Sequence, residues 1–151
     1  MKTSALTATE RTQILSTCPL FAGMPAADRA LLAEMMETER LCADEILFEA
    51  DDPSDRVYIV SEGRLAVFLS GELKPVRILG PGDIIGEYGM FLNRGRSATL
   101  KAETDAVLVS LDHIRFRSFL LRFPEAALVL FQTTVERLVA AESRAHSGSH
   151  A

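Results

Sequence analysis

Residues Ile84 to Thr99 read IIGEYGMFLNRGRSAT and bring features together that rarely share one short segment. A glycine is followed by an acid at Gly86 and Glu87, and two arginines separated by a glycine follow at Arg94 and Arg96. The apolar run between them is too short for a full helix. We predict a short helix over residues 86–92 that interrupts a series of strands, and the segment therefore combines opposite charges with a special backbone.

The whole chain has the length and composition of one globular domain. Its 151 residues are 48% hydrophobic and 25% charged, which is enough to build a packed core. The net charge of −5 argues against a general nucleic-acid surface, because duplex binding depends on clustered Lys and Arg. The start has no signal-peptide core, and no apolar run reaches the ~18 residues of a membrane span. We expect a cytoplasmic protein with no membrane contact, in which Cys18 and Cys42 are buried, reduced thiols rather than a redox pair.

Short segments rich in Val, Ile, Leu and Phe, separated by turns of Gly, Pro, Asp and Ser, fill the middle of the chain. They are Ile46–Phe48, Val57–Val60, Leu65–Leu69, Val76–Leu79, Ser97–Ala102 and Ala106–Leu111. Helical patterns flank them at Ala8–Ser16, Ala26–Met36, His113–Phe123 and Glu125 to about Ser143. The fold class predicted is mainly β with flanking helices, an antiparallel jelly roll or barrel. We expect an N-terminal helical segment over 1–19, one domain over 20–143 and a disordered tail over 144–151.

The last predicted helix carries a repeating apolar pattern that we call the seam. Leu128, Phe131, Val135 and Leu138 recur in steps of three and four residues, which is the spacing of a coiled coil. These side chains pack either against the domain's own sheets or against a second chain. We favour a homodimer through this seam.

The charges of the opening segment suit one small ligand. A guanidinium such as that of Arg96 binds a phosphate through charge-assisted contacts, and free N–H groups at a helix start also hold anions. A carboxylate beside a phosphate is repelled by it, so Glu87 needs a different partner. A sugar hydroxyl is suitable, because it can donate a hydrogen bond to the carboxylate. A phosphate and a free hydroxyl this close together describe a ribose cyclic phosphate.

The segment GEYGMFLNRGRSATLKA resembles the phosphate-binding cassette of the cyclic nucleotide-binding domain family. The residues that match the pattern of that family are Gly86, Glu87, Arg96, Ser97, Ala98 and Thr99. The turn Gly80–Asp83 and the strands around Asp55–Gly63 are also similar, so the resemblance covers about Leu20 to Ser143.

The resemblance implies that Arg96 neutralises the cyclic phosphate and that Glu87 holds the ribose 2′-hydroxyl. Backbone N–H groups help to hold the ligand, and the predicted ligand-binding residues are Gly86, Glu87, Tyr88, Arg96, Ser97 and Ala98. Arg94 has no clear counterpart in the family and is expected to be a loop charge rather than a second phosphate ligand. The residue that covers the purine stays unassigned, since counting along the last helix reaches only Ala141, Glu142 and Ser143.

We therefore expect a receptor for cAMP, which we favour, or cGMP. It would signal through its last helix to an effector protein or a dimer interface, without catalysis, metal or cofactor. A metal-dependent enzyme on a similar barrel needs clustered ligands, whereas the chain has only His113, His146 and His150. Two alternatives remain: an interaction module that binds no ligand, and the sensor half of a longer regulator. Direct DNA binding is not expected, because no DNA-binding half follows the sensor.

Overall fold

The computed structural model describes residues 5–92 and 94–148, with the side chains of all of these except 88, 90, 91 and 145–148. The strands in this part of the chain are β1 (Glu37–Leu41), β2 (Ile46–Phe48), β3 (Arg56–Glu62), β4 (Leu65–Phe68), β5 (Arg77–Leu79), β6 (Ile84–Ile85), β7 (Thr99–Ala102) and β8 (Ala106–Asp112). The helices are α1 (Ala8–Thr17), α2 (Pro19–Ala22), α3 (Ala26–Met35), α4 (Glu87–Leu92), α5 (His113–Arg122) and α6 (Pro124–Gly148).

The strands pair into antiparallel sheets that face each other. Within the described residues, one sheet has the order β1-β8-β3-β6 and the other the order β2-β7-β4-β5. Leucines and small apolar residues from both sheets fill the space between them, including Leu65, Leu100 and Leu108. The predicted antiparallel jelly roll with flanking helices is confirmed.

The first sheet is buried on both faces, which explains the unbroken apolar run of β3. Tyr58 and Val60 point towards the second sheet, whereas Val57 and Ile59 point towards the helices. Successive side chains of a strand alternate between faces, so a strand covered on both sides needs apolar residues at every position. The helical side of this core is formed by α1, α2, α3, α5 and α6 and includes Leu15, Phe21, Leu32, Phe116 and Leu130.

Two strands are absent from the sequence prediction. Strand β1 reads ETERL, and because most of its side chains are polar it shows no hydrophobic pattern. It nevertheless pairs with β8, and its acids lie beside one arginine of β3: Arg56 Nη2 is 3.1 Å from Glu37 Oε2. Strand β6 has only the two residues Ile84 and Ile85, which is too short for any periodic signal.

The helical ends also differ in detail from the prediction. The turn predicted around Pro19 contains the short helix α2, and α6 continues past Ser143 to Gly148. Residues 144–148 of the predicted tail are therefore helical, and residues 149–151 lie outside the described residues. Cys18 is buried as expected, but Cys42 is exposed, because it lies in the turn that follows β1.

None of the described helices is long and apolar enough to span a membrane. The same part of the chain contains no group of three or more His, Cys, Asp or Glu side chains that could hold a metal ion.

Candidate functional site

A cavity of about 330 Å³ lies between the second sheet and the segment from Ile84 to Thr99, which we call the cassette segment. Its apolar wall comes from the sheets and includes Phe48, Val67, Leu79, Ile85 and Leu100. Its polar wall comes from the cassette segment, from Arg77 on β5 and from Arg137 on α6. The cavity is therefore apolar on one side and strongly charged on the other.

The cassette segment enters the cavity wall through a left-handed turn at Gly86, whose φ is 88°. A Cβ at this position would lie 2.6 Å from the carbonyl oxygen of Arg56 and would also collide with Nη1 of Arg96. Only glycine fits both the backbone angle and the space. The turn thus brings the start of α4 directly against the guanidinium of Arg96.

The other end of the segment is tied to the loop between β2 and β3. The N–H of Arg96 donates to the carbonyl of Asp52, and the N–H of Asp51 donates to the carbonyl of Arg96, each at 2.8 Å. These two bonds fix the backbone of Arg96, so its side chain is directed into the protein rather than into solvent.

Arg96 is a buried cation with unused hydrogen-bonding capacity. It is only 6% exposed, and its guanidinium carbon lies 4.1 Å from the ring centroid of Phe48. Nη2 donates to the carbonyl of Arg56 at 3.1 Å and lies 3.7 Å from the carboxylate of Asp55. Its Nε and Nη1 have no hydrogen-bond partner among the described residues. Burial lowers the pKa of this guanidinium, and the charges of Tyr58, Asp55 and Asp52 act in the opposite direction.

Glu87 is the buried anion of the same cavity. It is 8% exposed, and its Oε1 lies 3.7 Å from Nη2 of Arg137 on α6. Burial raises the pKa of its carboxyl group, whereas its own backbone N–H and the charges of Arg137 and Arg77 lower it. Glu87 therefore pairs with an arginine of the last helix, and Arg96 does not neutralise it.

Three of the other predicted site residues lie in the cavity wall. Gly86, Ser97 and Ala98 line the cavity, with Ser97 exposed and Ala98 buried. Tyr88 belongs to α4, but its side chain lies outside the described part of the structure. Arg94 is exposed and also lines the cavity, so it stands closer to the site than a distant loop charge would.

Two arginines that are not predicted site residues also line the cavity, Arg77 and Arg137. Arg77 lies on β5, where the sequence predicts only a strand, and Arg137 lies two residues after Val135 of the predicted seam. Arg137 could have been selected as a charged residue on a helix that packs over the sheets. In contrast, Ala141, Glu142 and Ser143 are exposed and are not part of the described cavity wall.

Comparison with known proteins agrees with this architecture. The family model for the cyclic nucleotide-binding domain matches residues 38–123, which is more than half of the chain. An uncharacterized ABC transporter ATP-binding protein from Mycobacterium tuberculosis is 37% identical over 105 residues, covering 62% of this chain and 32% of that protein. The chain thus spans about a third of the length of such curated relatives.

Solved structures share the fold. The N-terminal domain of a transcriptional regulator from Streptomyces coelicolor A3(2) has a TM-score of 0.78 and 31% identity, covering 87% of this chain and 93% of that one. The regulatory domain of Toxoplasma gondii PKA, solved with cAMP, has a TM-score of 0.69 and 21% identity, covering 84% of this chain and 49% of that one. The matched family model, together with the sheets and cassette segment described above, shows that this chain belongs to the cyclic nucleotide-binding domain family.

Proposed function

We propose that this protein is a cyclic nucleotide receptor with a preference for cAMP, and that Arg96 binds the cyclic phosphate. The observation that carries this proposal is the buried guanidinium of Arg96 in the cavity wall, with Nε and Nη1 unpartnered among the described residues. A buried cation without full hydrogen bonding is costly, and an anion that enters the cavity removes that cost. A phosphate suits this role, because its oxygens accept several charge-assisted hydrogen bonds at once.

Glu87 is proposed to hold the ribose 2′-hydroxyl, with backbone groups of Gly86, Ser97 and Ala98 around the ligand. A carboxylate only accepts hydrogen bonds, so an incoming hydroxyl can donate to it where a phosphate would be repelled. The apolar wall at Val67, Leu79 and Leu100 then remains for the flat purine. Tyr88, next to Glu87 in α4, stays a candidate ligand-binding residue.

Calorimetric titration of the full chain with cAMP and with cGMP tests this function. Binding of either nucleotide with an accompanying rise in melting temperature is expected. Tighter binding of cGMP would overturn the preference for cAMP and keep the receptor function. No heat and no thermal shift with either nucleotide at about millimolar concentration would overturn the receptor function and favour an interaction module without a ligand.

Glu87→Gln is expected to weaken cAMP binding by about 1–1.5 kcal/mol, because a hydrogen bond to a charged group is replaced by a weaker, neutral one. The matched ligand is 2′-deoxy-cAMP, which lacks the hydroxyl and should bind wild type and variant with similar affinity. Titration calorimetry of both proteins with both ligands measures the difference. Equal losses of affinity for the two ligands would mean that Glu87 does not bind the 2′-hydroxyl.

We further propose that the ligand signals through α6. Arg137 of this helix contacts Glu87, so a ribose hydroxyl that engages the carboxylate changes the contact that holds the helix over the cavity. A ligand shifts a conformational equilibrium only by its different affinity for the two states, and this contact supplies such a difference. The shift is then available to an effector protein or to a second copy of the chain.

Arg137→Gln is expected to reduce the ligand-induced change in α6, because the helix loses its charged contact with the cavity. Amide hydrogen exchange across α6, measured with and without ligand, reports this change. Arg144→Gln is the control, since Arg144 is an exposed arginine of the same helix. A ligand response that is unchanged in Arg137→Gln would contradict the proposed route.

The homodimer is proposed to form through the seam of α6. Leu128, Phe131, Val135 and Leu138 are 55%, 65%, 39% and 60% exposed, so they do not pack fully on the domain's own sheets. The buried residues Ala126 and Leu130 of the same helix provide that packing instead. Large apolar side chains that recur along one exposed helix face are typical of a helix-pairing surface.

Phe131→Glu is expected to convert the dimer to a monomer, because it places an unpaired charge in the centre of the seam. Sedimentation equilibrium gives the mass in solution. Gln132→Glu introduces the same charge on an exposed neighbouring position and should leave the dimer intact. A wild-type chain that is monomeric at every concentration would contradict the homodimer.

A further inference from the structure

His113, the first residue of α5, is a buried histidine that follows Asp112, the residue of β8 paired with Arg56 of β3. His113 is only 7% exposed, and its Nε2 has no hydrogen-bond partner among the described residues. The ring interacts with the backbone of Gly86 and of Arg56, the same two residues that surround the guanidinium of Arg96. His113 itself is not part of the described cavity wall.

The backbone that carries the imidazole is fixed by hydrogen bonds at the start of α5. The N–H of His113 donates to the carbonyl of Asp55 at 2.8 Å. Asp112, which precedes it, caps α5 by accepting from the N–H of Arg115 at 2.8 Å. The start of α5 is therefore held against the start of β3, where the carbonyl of Arg56 accepts from Arg96.

The charges near this ring have opposite effects on its protonation. Burial is the main reason that the pKa of His113 is lowered, and the positive charge of Arg96 lowers it further. Interactions with the backbone of Gly86 and Arg56 and the negative charge of Asp55 act in the opposite direction. The charge of Arg96 is the only one of these that an incoming phosphate would neutralise.

We propose that His113 makes the affinity of the cavity for an anionic ligand depend on pH, by taking up a proton when the anion binds at Arg96. This inference rests on the proposed function. His113 is a positioning residue in this scheme: it acts on the ligand through its charge and through Arg96 and Gly86, without touching the ligand. Protonated His113 adds a second positive charge beside the phosphate site, and neutral His113 does not.

The direction of the effect follows from linkage. In the free protein the pKa of His113 lies below its ordinary value of about 6.5. A bound phosphate offsets the charge of Arg96 and raises this pKa, so the complex holds the proton at a pH where the free protein has lost it. Affinity then increases as pH falls through the pKa of the complex and levels off below that of the free protein. Each unit of difference between these two pKa values gives about a tenfold range of affinity.

The coupling to Arg96 is measured first without any ligand. In a His146→Ala/His150→Ala background His113 is the sole histidine of the chain, and its ring signals can be titrated by NMR. Arg96→Met in this background removes the guanidinium charge and should shift the His113 titration to higher pH. An unchanged titration would overturn the inference while leaving the receptor function untouched.

The affinity profile is measured second, by calorimetry with cAMP between about pH 5 and pH 8, the range in which histidine titrates. Wild type should gain about threefold or more in affinity across this range and take up protons on binding. His113→Gln keeps a polar side chain that cannot titrate, and its affinity should lose this component of the pH dependence. If His113 had only a structural role, His113→Gln would lower the affinity for cAMP equally at every pH. The same slope in wild type and His113→Gln would overturn the inference, and a wild type that binds no cyclic nucleotide would overturn the receptor function with it.

Discussion

Replacing Arg96 by methionine is expected to weaken cyclic nucleotide binding by about 2–5 kcal/mol, which is a loss of about 30-fold to 5,000-fold. The phosphate would enter a buried cavity without the cation that compensates for its lost hydration. Methionine keeps an unbranched side chain that can still pack on the ring of Phe48, so the loss reports the charge rather than a void. Titration calorimetry with cAMP measures the affinity.

The same substitution is expected to leave the free energy of unfolding of the free protein within about 1 kcal/mol of wild type. The variant loses one hydrogen bond to the carbonyl of Arg56, but it no longer buries a guanidinium whose Nε and Nη1 lack partners among the described residues. Urea denaturation measures this quantity. Large loss of binding with little loss of stability is the signature of a residue placed for its ligand.

Arg94→Met is the matched control for Arg96→Met. Both arginines belong to one short loop, but Arg94 is exposed and Arg96 is buried. Arg94→Met should weaken binding by less than about 1 kcal/mol, as for an exposed charge pair. Equal losses in the two variants would mean that the ligand is attracted by general positive charge and not by the guanidinium of Arg96.

Gly86→Ala is expected to lower the free energy of unfolding by about 2–5 kcal/mol. The left-handed backbone at φ 88° costs a residue with a Cβ about 1–2 kcal/mol. The new methyl group would also collide with the Arg56 carbonyl and the Arg96 guanidinium, and crowding of this kind costs about 1–3 kcal/mol more. Urea denaturation measures the loss, and titration calorimetry should show weaker ligand binding, because Arg96 is displaced.

Gly71→Ala separates the two contributions. Gly71 has nearly the same backbone angle, with φ of 81°, but a Cβ there meets nothing within 4 Å. Its substitution should cost only the backbone component of about 1–2 kcal/mol and leave ligand binding unchanged. If both glycine variants lost the same stability, the close packing at Gly86 would not contribute.

Prediction from the sequence succeeded where the signal was local. The apolar segments of β3 and β8 and the turns between strands were found because alternation, glycine and proline act within a few residues. It failed for β1, whose polar sequence ETERL forms a strand only because β8 and Arg56 lie beside it. A two-residue strand such as β6 likewise exists only through its pairing with β3.

The sequence alone determined that Gly86, Glu87 and Arg96 belong to one segment, since they lie within a dozen residues and a short helix joins them. Only the tertiary structure decided that Glu87 faces Arg137 of α6, that the charge of Arg96 acts on the buried His113, and which face of α6 stays exposed. These features depend on burial and on charges brought together across long stretches of chain. Desolvation and long-range contact are properties of the packed molecule, and no local pattern of residues encodes them.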